Sequence, residues 1–85
     1  MIEVHYFAAA RQAAGVASEA CDASGTLADL IAQLGAQHSG ATEAGMPFAQ
    51  VLERCTFLVD GAAAQPAAPL AGAARVDVLP PFAGG

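Results

Sequence analysis

The clearest pattern of apolar and polar positions lies in GTLADLIAQLGAQH, residues 25–38. Its large apolar residues recur at spacings of three, four and seven, which places them on one face of a helix. Thr26, followed three residues later by Asp29, resembles a capping box at the helix start. The pattern therefore predicts a helix from about Thr26 to His38. Its core-facing residues are Leu27, Leu30, Ile31 and Leu34.

Alternating apolar and polar residues indicate β-strands on both sides of this helix. IEVHYFA, residues 2–8, and ARVDVLP, residues 74–80, alternate over most of their length, while VASEACDA, residues 16–23, does so more weakly. CTFLVDG, residues 55–61, ends in an Asp-Gly pair, which is a strong signal for a hairpin turn. The short segment AAAQP, residues 62–66, is its predicted partner strand.

Two short segments complete the predicted order of elements. ARQAAG is expected to be a loop or a short helical turn that ends at Gly15, and FAQVLERC a short helical turn. The latter would bury Phe48, Val51 and Leu52. The order predicts an α+β domain with one main helix on one face of a small mixed sheet. The first and last strands would be neighbours at its centre.

The net charge of −5 limits the choice of partners. The three cations, Arg11, Arg54 and Arg75, are all arginine, so the chain contains no lysine. An acidic protein is repelled by phosphate backbones, which argues against nucleic acid and favours a basic groove on another protein. No apolar run approaches the ~20 residues of a membrane span, and no signal peptide is visible. We therefore expect a cytoplasmic protein that does not associate with membranes.

The cysteines and histidines do not form a metal-binding motif. Cys21 and Cys55 are far apart and in no CxxC arrangement, so we expect small hydrophobic side chains. His5 and His38 have no partners at ligand spacing, which favours surface or packing roles. The sequence predicts no metal ion and no bound cofactor.

The last predicted strand runs into LPPFAGG, residues 79–85. Prolines cannot donate to a β-ladder and therefore end the sheet, and glycine has no side chain to pack. We predict a folded domain over residues 1–79 and an extended tail over residues 80–85 that carries the function. The alternative is a disordered end without a role.

This element order with a terminal Gly-Gly pair resembles the ubiquitin-like β-grasp fold. More narrowly, it resembles the MoaD family of the MoaD/ThiS superfamily, the sulfur-carrying small subunits of molybdopterin synthase. The resemblance rests on MIEVHYFAAARQAAG, LADLIAQL and PLAGAARVDVLPPFAGG, and is most specific at the PPFAGG ending. Two departures, at Arg11-Gln12 and at residues 72–75, bear on partner contacts more than on the terminus.

The resemblance implies that Gly85 is the reactive residue and that Gly84 gives it access to narrow active sites. An activating enzyme would use ATP to adenylate the Gly85 carboxyl group, and a sulfur donor would convert it to a thiocarboxylate. The sulfur would then pass to cyclic pyranopterin monophosphate in the large subunit of molybdopterin synthase, within a heterotetramer. This step forms the dithiolene of the molybdenum cofactor.

The residues of the tail are suited to such insertion. If extended, residues 80–85 would span roughly 20 Å, and the prolines lower the entropy lost on binding. We expect partner contacts from Phe82, unless it folds back on the sheet, and from Arg11, unless it is simply solvated. The complete set of predicted partner-binding residues is Arg11, Pro80, Pro81, Phe82 and Ala83.

Three other functions stay open at this point. The same thiocarboxylate could serve thiazole or cysteine synthesis. The chain could instead be a protein modifier that links Gly85 to lysines, or a β-grasp binding module with an inert tail. The lack of lysine favours a carrier over a polymer-forming modifier, because the activated carboxyl group meets no side-chain amine on its own chain. A compositional bias against lysine codons explains the same absence equally well. Beyond Gly85 we find no catalytic group, so catalysis would belong to the partners.

Overall fold

The computed structural model describes residues 1–22 and 25–81. These residues form five strands and three helices, with the helices interspersed among the first strands along the chain. The strands make one mixed sheet, which confirms the α+β prediction. The strands are β1 (Ile2–Tyr6), β2 (Ser18–Cys21), β3 (Thr56–Val59), β4 (Ala62–Ala64) and β5 (Arg75–Leu79). The helices are α1 (Ala8–Ala14), α2 (Leu27–Gln37) and α3 (Phe48–Arg54).

The strands form a single sheet in the order β2-β1-β5-β3-β4. β1 and β5 are parallel neighbours at its centre, as predicted, with Val4 opposite Val76. The other three pairings are antiparallel. The alternating apolar residues of β1 and β5 face the helices, where Val4, Val76 and Val78 are completely buried. This sheet face and the apolar sides of α2 and α3 form the core.

The main helix, α2, begins as the sequence predicted. Thr26 Oγ1 accepts a hydrogen bond from the backbone N–H of Asp29, and Asp29 Oδ2 accepts one from the backbone N–H of Thr26 at 2.9 Å. Leu27, Leu30 and Leu34 are buried, whereas Ile31 is half-buried. The capping box therefore sets the residue at which α2 begins, and the helix places its three leucines on the side that faces the core.

Helix α1 is longer than the turn expected from the sequence. It spans seven residues and ends at Gly15, whose φ of 80° lies in the left-handed region and whose N–H bonds to the Arg11 carbonyl. Ala10 and Ala13 are buried against the core. Because this helix connects them, β1 and β2 pair as antiparallel neighbours without a tight hairpin.

A half-buried polar cluster joins β1, β2 and the end of α2. Glu19 Oε2 accepts hydrogen bonds from the Tyr6 hydroxyl, at 2.6 Å, and from His38 Nε2. The rings of Tyr6 and His38 each meet Phe48 edge to face, with centroids 5.6 and 5.1 Å away. His38 thus has the packing role expected of it, and the Glu19 carboxylate is the hydrogen-bond acceptor that connects β1 and β2 to the end of α2.

The β3–β4 hairpin turns at Asp60-Gly61, as predicted. Both residues have positive φ, 49° and 85°, which is the requirement of a type I′ turn. Asp60 Oδ1 also accepts hydrogen bonds from the backbone N–H groups of Ala74, at 3.0 Å, and Arg75, at 2.9 Å. One side chain therefore ties the hairpin to the start of β5.

Replacing Asp60 tests this connection. Asp60→Ala removes the acceptor of both hydrogen bonds and places alanine at a positive φ, so we expect the free energy of unfolding to fall by about 2 kcal/mol. Asp60→Asn is the matched control, because its amide oxygen can still accept and asparagine tolerates this backbone conformation. Urea unfolding followed by circular dichroism measures both. Equal losses in the two variants would show that the carboxylate charge matters and the acceptor geometry does not.

Candidate functional site at the base of the C-terminal tail

The central strand pair determines where the tail leaves the domain. β5 ends at Leu79, and its register places Val78 beside Tyr6 at the end of β1. The backbone N–H of Phe7 donates to the Val78 carbonyl at 3.3 Å, one step beyond this pair. Because parallel strands end at the same edge of a sheet, the tail starts beside the β1–α1 junction.

The predicted site residues fall into two groups. Pro80 is half-buried and Pro81 exposed at the start of the tail, while Arg11 is exposed on α1. Gly84 and Gly85, which carry the predicted chemistry, lie outside the described residues, and so do the predicted partner contacts Phe82 and Ala83. The roles of all seven stay predictions.

A groove lies directly beside the start of the tail. We call it the tail-base groove and define it by Ala9 of α1, Met46 of the loop before α3, Val51 and Arg54 of α3, and Pro80 and Pro81. Its volume is about 390 Å³. Gln12 lies on the α1 wall, and Thr42, Glu43 and Ala44 complete the loop wall. Arg11 is not part of this groove; it lines a separate depression with Gly15 and Val16.

Phe7 is an exposed aromatic residue beside the start of the tail that the sequence interpretation did not single out. Its side chain is 40% exposed, although it adjoins the end of the central strand pair. The sequence carried a signal for this exposure, because Phe7 shares the phase of Glu3 and His5 in the alternation of β1. A single exposed apolar residue does not by itself mark a contact surface. Phe7 is a candidate for partner contact only because it lies beside the strand end from which the tail begins.

The open face of the sheet carries paired charges of opposite sign. In the pairing of β1 with β5, Glu3 lies opposite Arg75 and His5 lies opposite Asp77. Arg75 Nε donates to Asp77 Oδ1 at 2.7 Å, and Glu3 contacts His5. Asp77 is only 9% exposed, so its charge is compensated locally. This face therefore presents a mixed pattern, and is not a uniformly acidic surface.

Neither thiol is suited to carry sulfur. Both cysteines are unbonded, with Cys21 buried and Cys55 half-buried. Burial raises the pKa of the Cys55 thiol to about 11 from its ordinary 9.0. Burial also raises the pKa of Cys21, and the carboxylates of Glu19 and Asp22 add to the effect. A protonated thiol is a poor nucleophile, so these side chains are not activated near neutral pH.

The described part of the chain shows no other chemical centre. Residues 1–22 and 25–81 contain no group of three His, Cys, Asp or Glu side chains that could hold a metal ion. In the same residues, no buried side-chain nitrogen or oxygen lacks a hydrogen-bond partner. None of the described helices has the length and hydrophobicity needed to cross a membrane.

The raised pKa of Cys55 predicts slow alkylation. A rise of about two pKa units lowers the thiolate fraction near neutral pH about 100-fold, so iodoacetamide should modify Cys55 that much more slowly than an unfolded cysteine. The rate should keep rising as the pH approaches 11. Intact-mass measurements of a Cys21→Ala variant between pH 7 and 11 follow this one thiol, with the urea-unfolded protein as control. A rate that levels off near pH 9 in the folded protein would contradict the assignment.

Comparison with known proteins first defines the class of fold. SAMP1 from Haloferax volcanii is similar over 99% of this chain and 98% of its own, with a TM-score of 0.69 and 22% identity. A second structure of that organism's small archaeal modifier protein 1 gives a TM-score of 0.64 at 22% identity, over 95% of this chain and 97% of that one. A Pyrococcus furiosus protein assigned as molybdopterin converting factor, subunit 1, gives 0.65 at 23% identity over the same shares. The fold is therefore the ubiquitin-like β-grasp, as predicted.

The family follows from the sequence. The ThiS family profile matches residues 4–85, which include the Gly-Gly end, so the chain belongs to the ThiS family. No curated protein matches it. The predicted membership of the MoaD/ThiS group, with its ubiquitin-like sulfur-carrier fold, is confirmed.

Proposed function

We propose that this protein is the sulfur-carrier subunit of molybdopterin synthase. Gly85 is first adenylated and then thiocarboxylated, and it donates its sulfur to cyclic pyranopterin monophosphate during formation of the molybdopterin dithiolene. The observation that carries the proposal is the continuity between the central strand and the tail. β5 ends at Leu79, Pro80 and Pro81 leave the sheet, and the family match continues through Gly85.

The chemistry needs an activated carboxyl group that is remote from the bulk of the domain. An oxygen of the Gly85 carboxylate attacks the α-phosphate of ATP and releases pyrophosphate. Sulfide, or its equivalent from a sulfur donor, then attacks the carbonyl carbon and displaces AMP, which leaves a thiocarboxylate. Because neither cysteine is activated, the sulfur comes from outside the chain. ATP is bound by the activating enzyme and is not a cofactor of this protein.

The partners follow from the same chemistry. The tail must reach three partners in turn: an activating enzyme, a sulfur donor and the large subunit of molybdopterin synthase. With the large subunit, this protein would form a heterotetramer. A net charge of −5 suits partners with a basic surface. The similarity to a molybdopterin converting factor subunit supports the large subunit as the partner. The cytoplasmic location stays a prediction.

Intact-mass spectrometry tests the carrier function. The protein is incubated with ATP, sulfide and the activating-enzyme fraction of its host. We expect a mass gain equal to the exchange of one oxygen for sulfur, located in the C-terminal peptide and absent without ATP. A variant that lacks Gly85 should show no gain. Transfer to cyclic pyranopterin monophosphate by the large subunit then separates the molybdopterin pathway from thiazole or cysteine synthesis.

A protein modifier is the second candidate, favoured by the structural similarity to small archaeal modifier protein 1. It predicts a different product, in which the Gly85 carboxyl group forms isopeptide bonds with lysines of other proteins. Such adducts without a sulfur-containing form would overturn the carrier proposal. Unchanged activity after removal of Gly84 and Gly85 would instead favour a binding module with an inert tail.

Phe7 is expected to contribute to recognition by the activating enzyme. Phe7→Ala should weaken binding about tenfold, equivalent to ~1.4 kcal/mol, because it removes an apolar contact beside the start of the tail. Its 40% exposure predicts little change in melting temperature. Val16→Ala is the matched control, since Val16 is 42% exposed at the other end of α1. Concentration dependence of thiocarboxylate formation measures the effect, and equal affinities for the two variants would exclude this role.

A further inference from the structure

We propose that the free edge of β4 binds an extended segment of a partner protein as an added strand, and that the groove between this edge and α2 receives its side chains. The segment has large aliphatic residues at alternate positions and a lysine or arginine in the same series. The proposal goes beyond the carrier function, because this surface shares no residue with the tail-base groove.

The groove lies between α2 and the β3–β4 hairpin, and we call it the hairpin groove. Its volume is about 500 Å³. Its floor is apolar, because Leu52 and Phe57 are buried there. The residues that define it are Ile31, Ala32, Leu52, Glu53, Phe57 and Ala64.

The exposure of Ile31 is a consequence of this groove. The leucine pattern of α2 predicts that Ile31 faces the core, yet it is half-buried and lies in the groove wall. β4 consists of three alanines, so this strand brings no large side chain to the groove. An aliphatic side chain from a partner would cover Ile31 and remove further apolar surface from water.

β4 is an edge strand with backbone groups that face outward. The two-residue turn before it makes Val59 and Ala62 a hydrogen-bonded pair. Because bonded and non-bonded pairs alternate in an antiparallel ladder, Ala63 exchanges no hydrogen bond with its partner Leu58. The N–H and C=O groups of Ala63 therefore point away from β3, toward the position that an added strand would take.

The two edges of the sheet differ in their protection against such pairing. β2 carries Glu19, and charged side chains on an edge strand discourage the addition of another strand. β4 carries neither a charge nor a proline. The edge that adjoins the hairpin groove is therefore the one open to strand addition.

The register directs the side chains of an added strand into the groove. Ala64 lies opposite Phe57, which is buried on the core side of the sheet. Directly opposite residues of neighbouring strands share a face, so the partner residue that pairs with Ala64 points to the core side. Residues two positions away follow the same phase, which is why the aliphatic side chains must alternate.

Charge and size select the occupant. Among the groove residues, Glu53 is exposed and negatively charged, so a lysine or arginine of the partner complements it. A second copy of this chain is a poor fit, because its β4 would offer the groove only alanine side chains. Both copies would also carry a net charge of −5. The occupant is therefore a segment of a different protein.

A synthetic peptide tests strand addition. The probe is acetyl-Lys-Thr-Ile-Thr-Val-Thr-amide, which places lysine, isoleucine and valine on one side of a strand. Titration into isotope-labelled protein, followed by amide NMR, should give saturable shifts centred on Ile31, Ala63 and Ala64, with slower hydrogen exchange of the Ala63 amide. A peptide of the same composition with isoleucine and valine adjacent should bind about tenfold more weakly, and so should a version with N-methylated backbone.

Matched variants locate the contact. Ala32→Leu narrows the groove and should weaken binding about tenfold, whereas Ala36→Leu, the same change outside the groove, should not alter it. Glu53→Gln should weaken binding of the lysine peptide about threefold and leave a peptide with threonine in place of lysine unaffected. All three positions are exposed, so the melting temperature should change little.

The other outcomes are decisive. Without a saturable shift, or with equal affinity for the N-methylated peptide, strand addition is overturned. Shifts centred on the tail-base groove, or shifts that depend on protein concentration in the absence of peptide, also overturn it.

A rate measurement tests whether the two surfaces are separate. Saturating peptide should leave the rate of thiocarboxylate formation unchanged, and inhibition would overturn the separation of the two surfaces. If no protein gains sulfur, the carrier function fails, while the peptide titration still decides whether β4 binds an added strand.

Discussion

The parallel pairing of β1 with β5 is the constraint on which the rest of the molecule depends. It joins the first and last strands at the centre of the sheet, so the fold cannot be completed until the chain is nearly complete. The valines at its centre are fully buried in the core that the sheet forms with the helices. The same pairing sets the point at which residue 80 leaves the sheet, and so couples core packing directly to the position of the tail.

Much of the fold could be predicted because its strongest signals are local. The leucine spacing and the Thr26–Asp29 capping box define α2, and the Asp60-Gly61 pair defines a hairpin. Helix α1 was underestimated because its segment, AAARQAA, is mostly alanine and offers little contrast between faces. The sequence indicated that this helix ends at Gly15, but it did not indicate how many residues the helix spans.

The candidate site was less predictable, for a physical reason. The proposed chemistry rests on the Gly-Gly end and stays a prediction, because that argument needs only the covalent properties of the residues. The tail-base groove, in contrast, is assembled from α1, the loop before α3, α3 and the end of β5. The two hydrogen bonds that Glu19 accepts, from Tyr6 and from His38, likewise join distant positions, which no local pattern reveals.

The placement of β5 between two neighbours has a mechanical consequence. Consider a force applied at Pro80 along the axis of β5, such as a partner that bound the tail could exert. It loads the ladders to β1 and β3 together in shear, with Phe7 and Asp60 bonded at opposite ends of the strand. An edge strand would instead separate from its single partner. The sheet is therefore built to resist a pull at the carboxyl end of β5 without being peeled apart.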